Sequence, residues 1–201
     1  MSKVQTKYKK CRKYGSVLFE KCQTAKYALS EQKKRFSQRG GRRKQISDYG
    51  KQLMEKQKIK IAYGLKEKKL KSYILDAINS QKETFSEIYK SLETRLDNVV
   101  YKAGLADTRA MAKQMVSHGH ITVNGRKLNI PSYQVKVGDK IAVRKESQDR
   151  AMFQNLASKD LSKLPAWISF DHKKLEGEIK SDPVLERSEF NLQQVIEYYT
   201  R

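Results

Sequence analysis

Five basic or titratable side chains fall close together between residues 91 and 145, and their chemistry suits a polyanion site. They are Arg109, Lys113, His118, Arg126 and Lys127. Arg109 and Lys113 are four residues apart and therefore share one face of a helix. Guanidinium and ammonium groups that neutralise phosphates release counterions, which gives affinity without reading bases. We expect the five groups to converge on the backbone of one nucleic acid.

Two short helices and a hairpin are predicted to position these groups. The first helix carries an apolar stripe and ends at Gly104, whereas the second begins at an Asp107 N-cap and ends at Gly119. Asn124-Gly125 follows an alternating Ile-Thr-Val run and is a strong hairpin signal. The apolar stripe consists of Leu92, Leu96, Val99, Val100 and Ala103.

The residue types that support catalysis or metal binding are not grouped in this sequence. It contains no phosphate-cradling glycine loop, no HExxH and no GxSxG motif. His118 and His120 lack a nearby carboxylate or cysteine, and two cysteines alone cannot complete a tetrahedral zinc site. We therefore predict a binding protein that is not an enzyme and holds no metal or cofactor.

Charge is distributed unevenly along the 201 residues, whose formal net charge is +21. Residues 1–71 contain 23 basic and 5 acidic residues, whereas residues 72–201 contain 20 and 17. A basic arm of this kind binds polyanions, and it lacks the continuous apolar face of a membrane-surface helix. We predict RNA as the partner, and neither DNA nor a membrane.

Cysteine usage and hydropathy predict the compartment. No apolar run approaches the roughly 18 residues of a membrane span, and the first residues contain no secretory apolar region. Two cysteines without a secretion signal are typical of a reducing compartment. The sequence therefore predicts a cytosolic protein without a disulfide.

The predicted fold class is α+β, organised in three parts. Residues 1–46 form a basic arm, extended or partly ordered, and residues 91–145 form an inserted unit of two helices and a small twisted sheet. Residues 47–90, completed by 146–201, form a helical domain. Its first helix is capped by Ser47, and its third opens on a Thr84–Glu87 capping box. The second and last helices follow apolar stripes at 70–78 and 192–199.

Further RNA contacts are predicted on these elements. Basic residues precede and line the first helix of the helical domain, where cationic side chains and exposed N–H donors combine. The aromatic rings among the candidates either stack on bases or pack in the core, and packing is favoured. These additional candidates are Arg42, Arg43, Lys44, Tyr49, Lys56, Lys58, Lys60, Arg95, Asn124, Gly125, Ser132 and Tyr133.

Residues 91–145 resemble the αL RNA-binding module. The resemblance is carried by Arg95-Leu96-Asp97, Thr108-Arg109-Ala110, His118-Gly119-His120, Val123-Asn124-Gly125 and Gly138-Asp139. Nearly the whole chain, in collinear order, resembles the bacterial-type ribosomal protein S-four family. The segments outside the module are Gly41-Arg42-Arg43-Lys44, Ser47-Asp48-Tyr49-Gly50, Glu55-Lys56-Gln57-Lys58, Leu164-Pro165-Ala166-Trp167 and Val195-Ile196-Glu197-Tyr198-Tyr199.

This resemblance implies a structural protein of the small ribosomal subunit, located in the cytoplasm. The family binds the 5′ domain junction of small-subunit ribosomal RNA early in assembly, contacts neighbouring ribosomal proteins near the path of incoming messenger RNA, and contributes to decoding fidelity. Some members bind their own messenger RNA. Some carry a four-cysteine zinc knuckle, whose first and fourth ligand positions are here Tyr8 and Tyr27. The alternative is a free-standing αL-module stress or recycling factor.

Overall fold

The described residues form helices and a small antiparallel sheet, divided between two units, in agreement with the α+β prediction. A computed structural model describes residues 7–15, 18–19, 22–37, 46–154, 164–185 and 190–201. Unit 1 comprises 1–79 with 187–201, and unit 2 comprises 80–186. None of the helices described is long and apolar enough to cross a membrane.

Unit 1 is helical and consists of α1 (Lys7–Tyr14), α2 (Ala25–Ser37), α3 (Asp48–Ala62), α4 (Glu67–Asn79) and α10 (Leu192–Thr200). Ser47 caps α3 as predicted, because its hydroxyl accepts a hydrogen bond from the Gly50 N–H at 3.2 Å. The apolar stripe of α4 is buried as its spacing predicts. Helix α10 packs against α3 and α4, and α1 packs against α3.

The predicted basic arm is more ordered than its composition indicates, because α1 and α2 lie within it. A disulfide joins Cys11 to Cys22, whose Cα atoms are 6.5 Å apart, and both residues are buried. The prediction that the chain has no disulfide is therefore wrong for this structure. Neither the expected compartment nor the spacing of the two cysteines indicates this pairing.

The four positions that resemble a zinc knuckle do not fit a zinc ion. Both sulfurs are consumed in the disulfide, and the rings of Tyr8 and Tyr27 stack with centroids 5.8 Å apart. Zinc in proteins is bound by thiolates, imidazoles or carboxylates, and these four side chains supply none of them. The Tyr27 ring and the disulfide instead form a small apolar cluster with Phe19, and the exposed Tyr8 ring stacks on Tyr27.

Unit 2 begins with α5 (Thr84–Glu93), α6 (Leu96–Lys102) and α7 (Arg109–Ser117). The predicted first module helix is divided between α5 and α6, because Arg95 is extended and pairs with Gln134. Two predicted caps are displaced by one residue. Thr84 is the first residue of α5, and Thr108 rather than Asp107 caps α7, its hydroxyl accepting from the Met111 N–H at 3.2 Å. The predicted stops at Gly104 and Gly119 are confirmed, both with positive φ.

The sheet of unit 2 has five antiparallel strands in the order β2-β1-β3-β5-β4. These are β1 (Ile121–Val123), β2 (Arg126–Leu128), β3 (Lys140–Val143), β4 (Ile168–Asp171) and β5 (Glu176–Ile179). The Asn124-Gly125 hairpin is confirmed, with φ of 50° and 78° at the two residues. Short helices α8 (Lys145–Gln148) and α9 (Ala151–Gln154) follow β3.

The sheet extends beyond the predicted boundary at residue 145. Strand β5 pairs with β3, as in Ile141↔Gly177, and β4 pairs with β5. Residues 146–186 therefore belong to unit 2 and do not complete the helical domain as expected. The physical reason is that β3 would otherwise be an open edge whose N–H and C=O groups require partners. The core beneath the sheet includes Leu96, Val116, Ile121 and Phe170.

Candidate nucleic-acid interface

Helix α7 presents the first pair of predicted cations. Arg109 is its first residue, and Lys113, one turn later on the same face, is exposed. The Nε of Arg109 donates to the side-chain oxygen of Asn98 at 2.9 Å, and its guanidinium carbon lies 4.6 Å from the centre of the Tyr101 ring. These two contacts fix the plane of the guanidinium.

The hairpin places the second pair of cations beside the end of α7. Arg126 and Lys127 are exposed on β2, directly after the turn. The side chain of Lys127 crosses Gly119, because a Cβ at that glycine would lie 2.2 Å from the Lys127 Cε. Only glycine permits this approach, which brings the Lys127 ammonium next to the residues flanking Gly119, one of them the exposed His118.

Buried His120 marks a place where several positive charges meet. Its Nδ1 lies 3.0 Å from the Ser147 hydroxyl. Burial lowers the pKa of His120 below its ordinary value, and the charges of Arg150, His118, Arg144 and Lys127 lower it further. The four charged side chains that act on this ring indicate a concentration of positive potential in this part of unit 2, which attracts a polyanion to the surface nearby. Arg144 and Arg150 were not predicted, because only the fold brings the segment after β3 to the hairpin.

We use the term cationic surface for the five basic or titratable residues predicted from the sequence together with the two arginines whose charges act on His120. Arg144 within it also pairs with Glu146, at 2.7 Å between Nε and a carboxylate oxygen. The cationic surface consists of Arg109, Lys113, His118, Arg126, Lys127, Arg144 and Arg150.

Other predicted contacts in the module support the backbone. The Asn124 amide donates to Asp139 at 2.8 Å and accepts from the Lys140 N–H at 2.9 Å, which ties the hairpin to β3. Tyr133 is half-buried against the core, as its packing interpretation predicts, and its carbonyl accepts from the Leu96 N–H at 2.8 Å. Neighbouring Ser132, and Gly125 in the hairpin turn, are exposed.

Arg95 is an internal residue. Its side chain is 3% exposed, and its Nε and one terminal nitrogen donate to the two carboxylate oxygens of Asp97 at 3.0 and 2.6 Å. Such a bidentate pair satisfies the guanidinium inside the protein. We therefore correct the prediction that Arg95 contacts RNA and remove it from the interface.

The lysines of α3 in unit 1 are also engaged within the protein. Lys56 is buried, its ammonium 2.7 Å from Glu67 and 4.2 Å from the centre of the Tyr198 ring, so it too is removed from the interface. Lys58 pairs with Glu55, and Lys60 with Glu67 at 3.1 Å.

The aromatic candidate of unit 1 is open to solvent. Tyr49 is 51% exposed, and its ring centre lies 5.7 Å from that of Tyr198. A hydrogen bond with Tyr198 and the charge of that residue raise the pKa of Tyr49. The three remaining candidates, Arg42, Arg43 and Lys44, lie outside the described residues. Among the residues described, no group of three or more His, Cys, Asp or Glu could hold a metal ion.

Comparison with known proteins shows the family. Residues 3–94 match the model of the ribosomal protein S4/S9 N-terminal domain, and residues 94–141 match the S4 domain. Curated relatives named "Small ribosomal subunit protein uS4" include one from Chromobacterium violaceum, 44% identical over 97% of each chain, and one from a Roseiflexus species, 48% identical over 80% of each. A relative named uS4A from Alkaliphilus metalliredigens is 40% identical over 95% of each chain. The chain belongs to the bacterial-type ribosomal protein uS4 family.

Proposed function

We propose that this chain is a structural, non-catalytic component of the small ribosomal subunit in the cytoplasm and binds small-subunit ribosomal RNA. The observation that carries this proposal is the cationic surface within the S4 domain and its extension at Arg144 and Arg150. RNA helices have a narrow major groove, so proteins recognise them through phosphates, 2′-hydroxyls and shape. A group of exposed and half-exposed cations suits that mode of recognition.

A matched pair of variants tests which cations bind RNA. Arg126→Ala with Lys127→Ala removes two charges from the cationic surface, and Lys173→Ala with Lys174→Ala removes two exposed charges from the β4–β5 turn of the same unit. We expect the first variant to bind a transcript of the 5′ domain of small-subunit ribosomal RNA about tenfold or more weakly. Its slope of log K against log salt should fall by about two, one per lost phosphate contact.

The control should retain both the affinity and the slope. Equal losses in the two variants would mean that net charge, and not the cationic surface, determines binding. All four side chains are exposed, so both variants should keep the fold, and circular dichroism of each variant checks this.

We further propose the finer family roles: binding at the 5′ domain junction early in assembly, contact with neighbouring ribosomal proteins, and an effect on decoding fidelity near the path of incoming messenger RNA. What supports them is the resemblance over nearly the full chain. Order-of-addition reconstitution with naked ribosomal RNA tests the early role, since an early protein binds before the other proteins are present. A misreading reporter in cells carrying the Arg126→Ala, Lys127→Ala variant tests the effect on fidelity.

Sedimentation of cell lysate at low and high magnesium distinguishes this function from a free-standing αL-module factor. A structural component migrates with small subunits at both magnesium concentrations. Migration with free protein, or with precursors of the large subunit, would contradict the proposed role.

A further inference from the structure

The side-chain amide of Asn98, on α6, is fully hydrogen-bonded and connects the cationic surface to the interior of unit 2. Asn98 is only 1% exposed. The Nδ2 donates to the backbone carbonyl and to the carboxylate of Glu93, both at 3.0 Å. The Oδ1 accepts from the Nε of Arg109 at 2.9 Å. One buried amide therefore joins the end of α5 to the start of α7.

The partners on each side determine which way this amide points. A rotated amide would place its NH2 group against the Arg109 N–H and its oxygen against the two Glu93 oxygens. All three contacts would then be repulsive. Aspartate at this position would place a second carboxylate beside Glu93, and leucine would remove all three hydrogen bonds. Since Glu93 is itself 2% exposed, the support for the amide lies inside the unit.

The consequence is a guanidinium that is oriented before any ligand arrives. The hydrogen bond to Asn98 fixes the Nε, and the Tyr101 ring, 4.6 Å from the guanidinium carbon, fixes the plane. The two terminal nitrogens of a guanidinium carry the paired N–H groups that suit a phosphate. An unsupported arginine must lose rotamer freedom on binding, whereas this one has lost much of it on folding.

We propose that Asn98 is a positioning residue for RNA binding: it touches no RNA, and acts by holding Arg109 in the orientation that meets a phosphate. This inference rests on the proposed RNA-binding function of the cationic surface. Part of the RNA affinity that a count of positive charges would attribute to Arg109 alone therefore depends on Asn98, which is buried and neutral.

A double-mutant cycle on RNA affinity tests the inference. The full chain and its Asn98→Ala, Arg109→Ala and doubly substituted forms are titrated with the transcript of the 5′ domain of small-subunit ribosomal RNA. We expect Arg109→Ala to weaken binding about tenfold, as the loss of a charge-assisted contact does. Asn98→Ala should weaken it about threefold to tenfold, since the arginine is present but no longer oriented. In the Arg109→Ala background, Asn98→Ala should change affinity by less than about twofold.

Salt dependence provides a readout that a purely structural role would not produce. Arg109→Ala should lower the slope of log K against log salt by about one, whereas Asn98→Ala should leave it unchanged because the charge remains. Arg109→Lys keeps the charge but lacks the planar fork, so it should behave as Asn98→Ala does and should make Asn98→Ala silent. All titrations are made at a temperature at which circular dichroism shows every variant fully folded.

Each outcome supports or overturns a specific step. Equal losses from Asn98→Ala with and without Arg109 would show that Asn98 acts through the general stability of the unit, which overturns the inference. A loss on Arg109→Ala with none on Asn98→Ala would also overturn it while leaving the proposed function intact. No loss on Arg109→Ala, with the Arg126→Ala, Lys127→Ala variant still impaired, would place Arg109 outside the interface and overturn the inference alone. No loss in any of these variants would refute the proposed cationic surface itself.

Discussion

Glu67 connects three helices of unit 1, and replacing it with glutamine should weaken that unit selectively. One carboxylate oxygen accepts from the Lys56 ammonium and from the Tyr199 hydroxyl, both at 2.7 Å, and the other accepts from Lys60 at 3.1 Å. These contacts join α3, α4 and α10. Glu67→Gln keeps the shape of the side chain but removes the charge, and it leaves the buried Lys56 ammonium without a carboxylate partner.

The magnitude follows from burial and from the pKa of the carboxyl. Removing one partner of a fully buried pair costs about 3–5 kcal/mol. The side chain of Lys56 is 6% exposed but that of Glu67 is 43% exposed, so water screens the interaction. We therefore expect Glu67→Gln to lower the free energy of unfolding by about 2 kcal/mol at pH 7.

The same contacts make this contribution depend on pH. Burial raises the pKa of Glu67, but hydrogen bonds from Lys56, Tyr199 and Lys60 outweigh it and lower the pKa from 4.5 to about 2. Because the folded pKa is lowered, the stabilisation is complete above about pH 4.5 and is lost as the pH falls towards 2. Unscreened, the shift corresponds to roughly 3 kcal/mol, which solvent exposure reduces to about 1–2 kcal/mol.

Urea unfolding read by hydrogen-exchange mass spectrometry on peptides of α3, α4 and α10 measures the effect in unit 1 separately from unit 2. The difference between the wild-type protein and Glu67→Gln should be largest at pH 7 and should shrink from pH 4.5 downwards. Lys51→Met, which breaks the exposed pair with Asp48 on α3, is the control and should leave the midpoint unchanged. An unchanged midpoint for Glu67→Gln at pH 7, or a difference independent of pH, would refute this reasoning.

Three further predictions concern the other internal contacts. Arg95→Met leaves its buried carboxylate partner unpaired and should destabilise unit 2 by about 3–5 kcal/mol, measured by urea unfolding with tryptophan fluorescence; a loss below about 1 kcal/mol would contradict the buried pair. Gly177→Ala would place a Cβ 2.4 Å from a ring carbon of Phe170 on β4, so the melting temperature should fall with a loss of about 2 kcal/mol. A variant as stable as the wild-type protein would contradict that packing. Reduction of the Cys11–Cys22 disulfide, which spans 11 residues, should remove about 3 kcal/mol of local stabilisation and speed hydrogen exchange in α1. Equal exchange with and without reductant would show that packing alone orders the segment.

Local sequence patterns predicted the elements whose signals are contained within a few residues. The stops at Gly104 and Gly119, the Ser47 cap and the Asn124-Gly125 hairpin are all in the structure, because each depends on backbone conformations that only neighbouring residues decide. The caps at Thr84 and Asp107 were displaced by one residue: the Thr108 hydroxyl takes the capping hydrogen bond of α7, whereas α5 begins after Glu83 without a side-chain cap.

Contacts between distant segments were not predictable in this way. Strands β4 and β5 lie between Pro165 and Pro183, and they form because β3 offers an unpaired edge. The disulfide joins two cysteines whose pairing their spacing alone did not indicate. The charges that meet around His120 come from α7, β2 and the segment after β3, which only the fold brings together.

By itself, the sequence determined the α+β class, the family and the types of charge available for RNA. Only the tertiary structure decided which of those charges face a ligand. Arg95 and Arg109 are both arginines in the module, yet one is locked in a buried pair with Asp97 and the other is held beside Lys113 on the cationic surface. The physical reason is that charge is a property of a single residue, whereas burial and pairing are set by residues far apart in the chain.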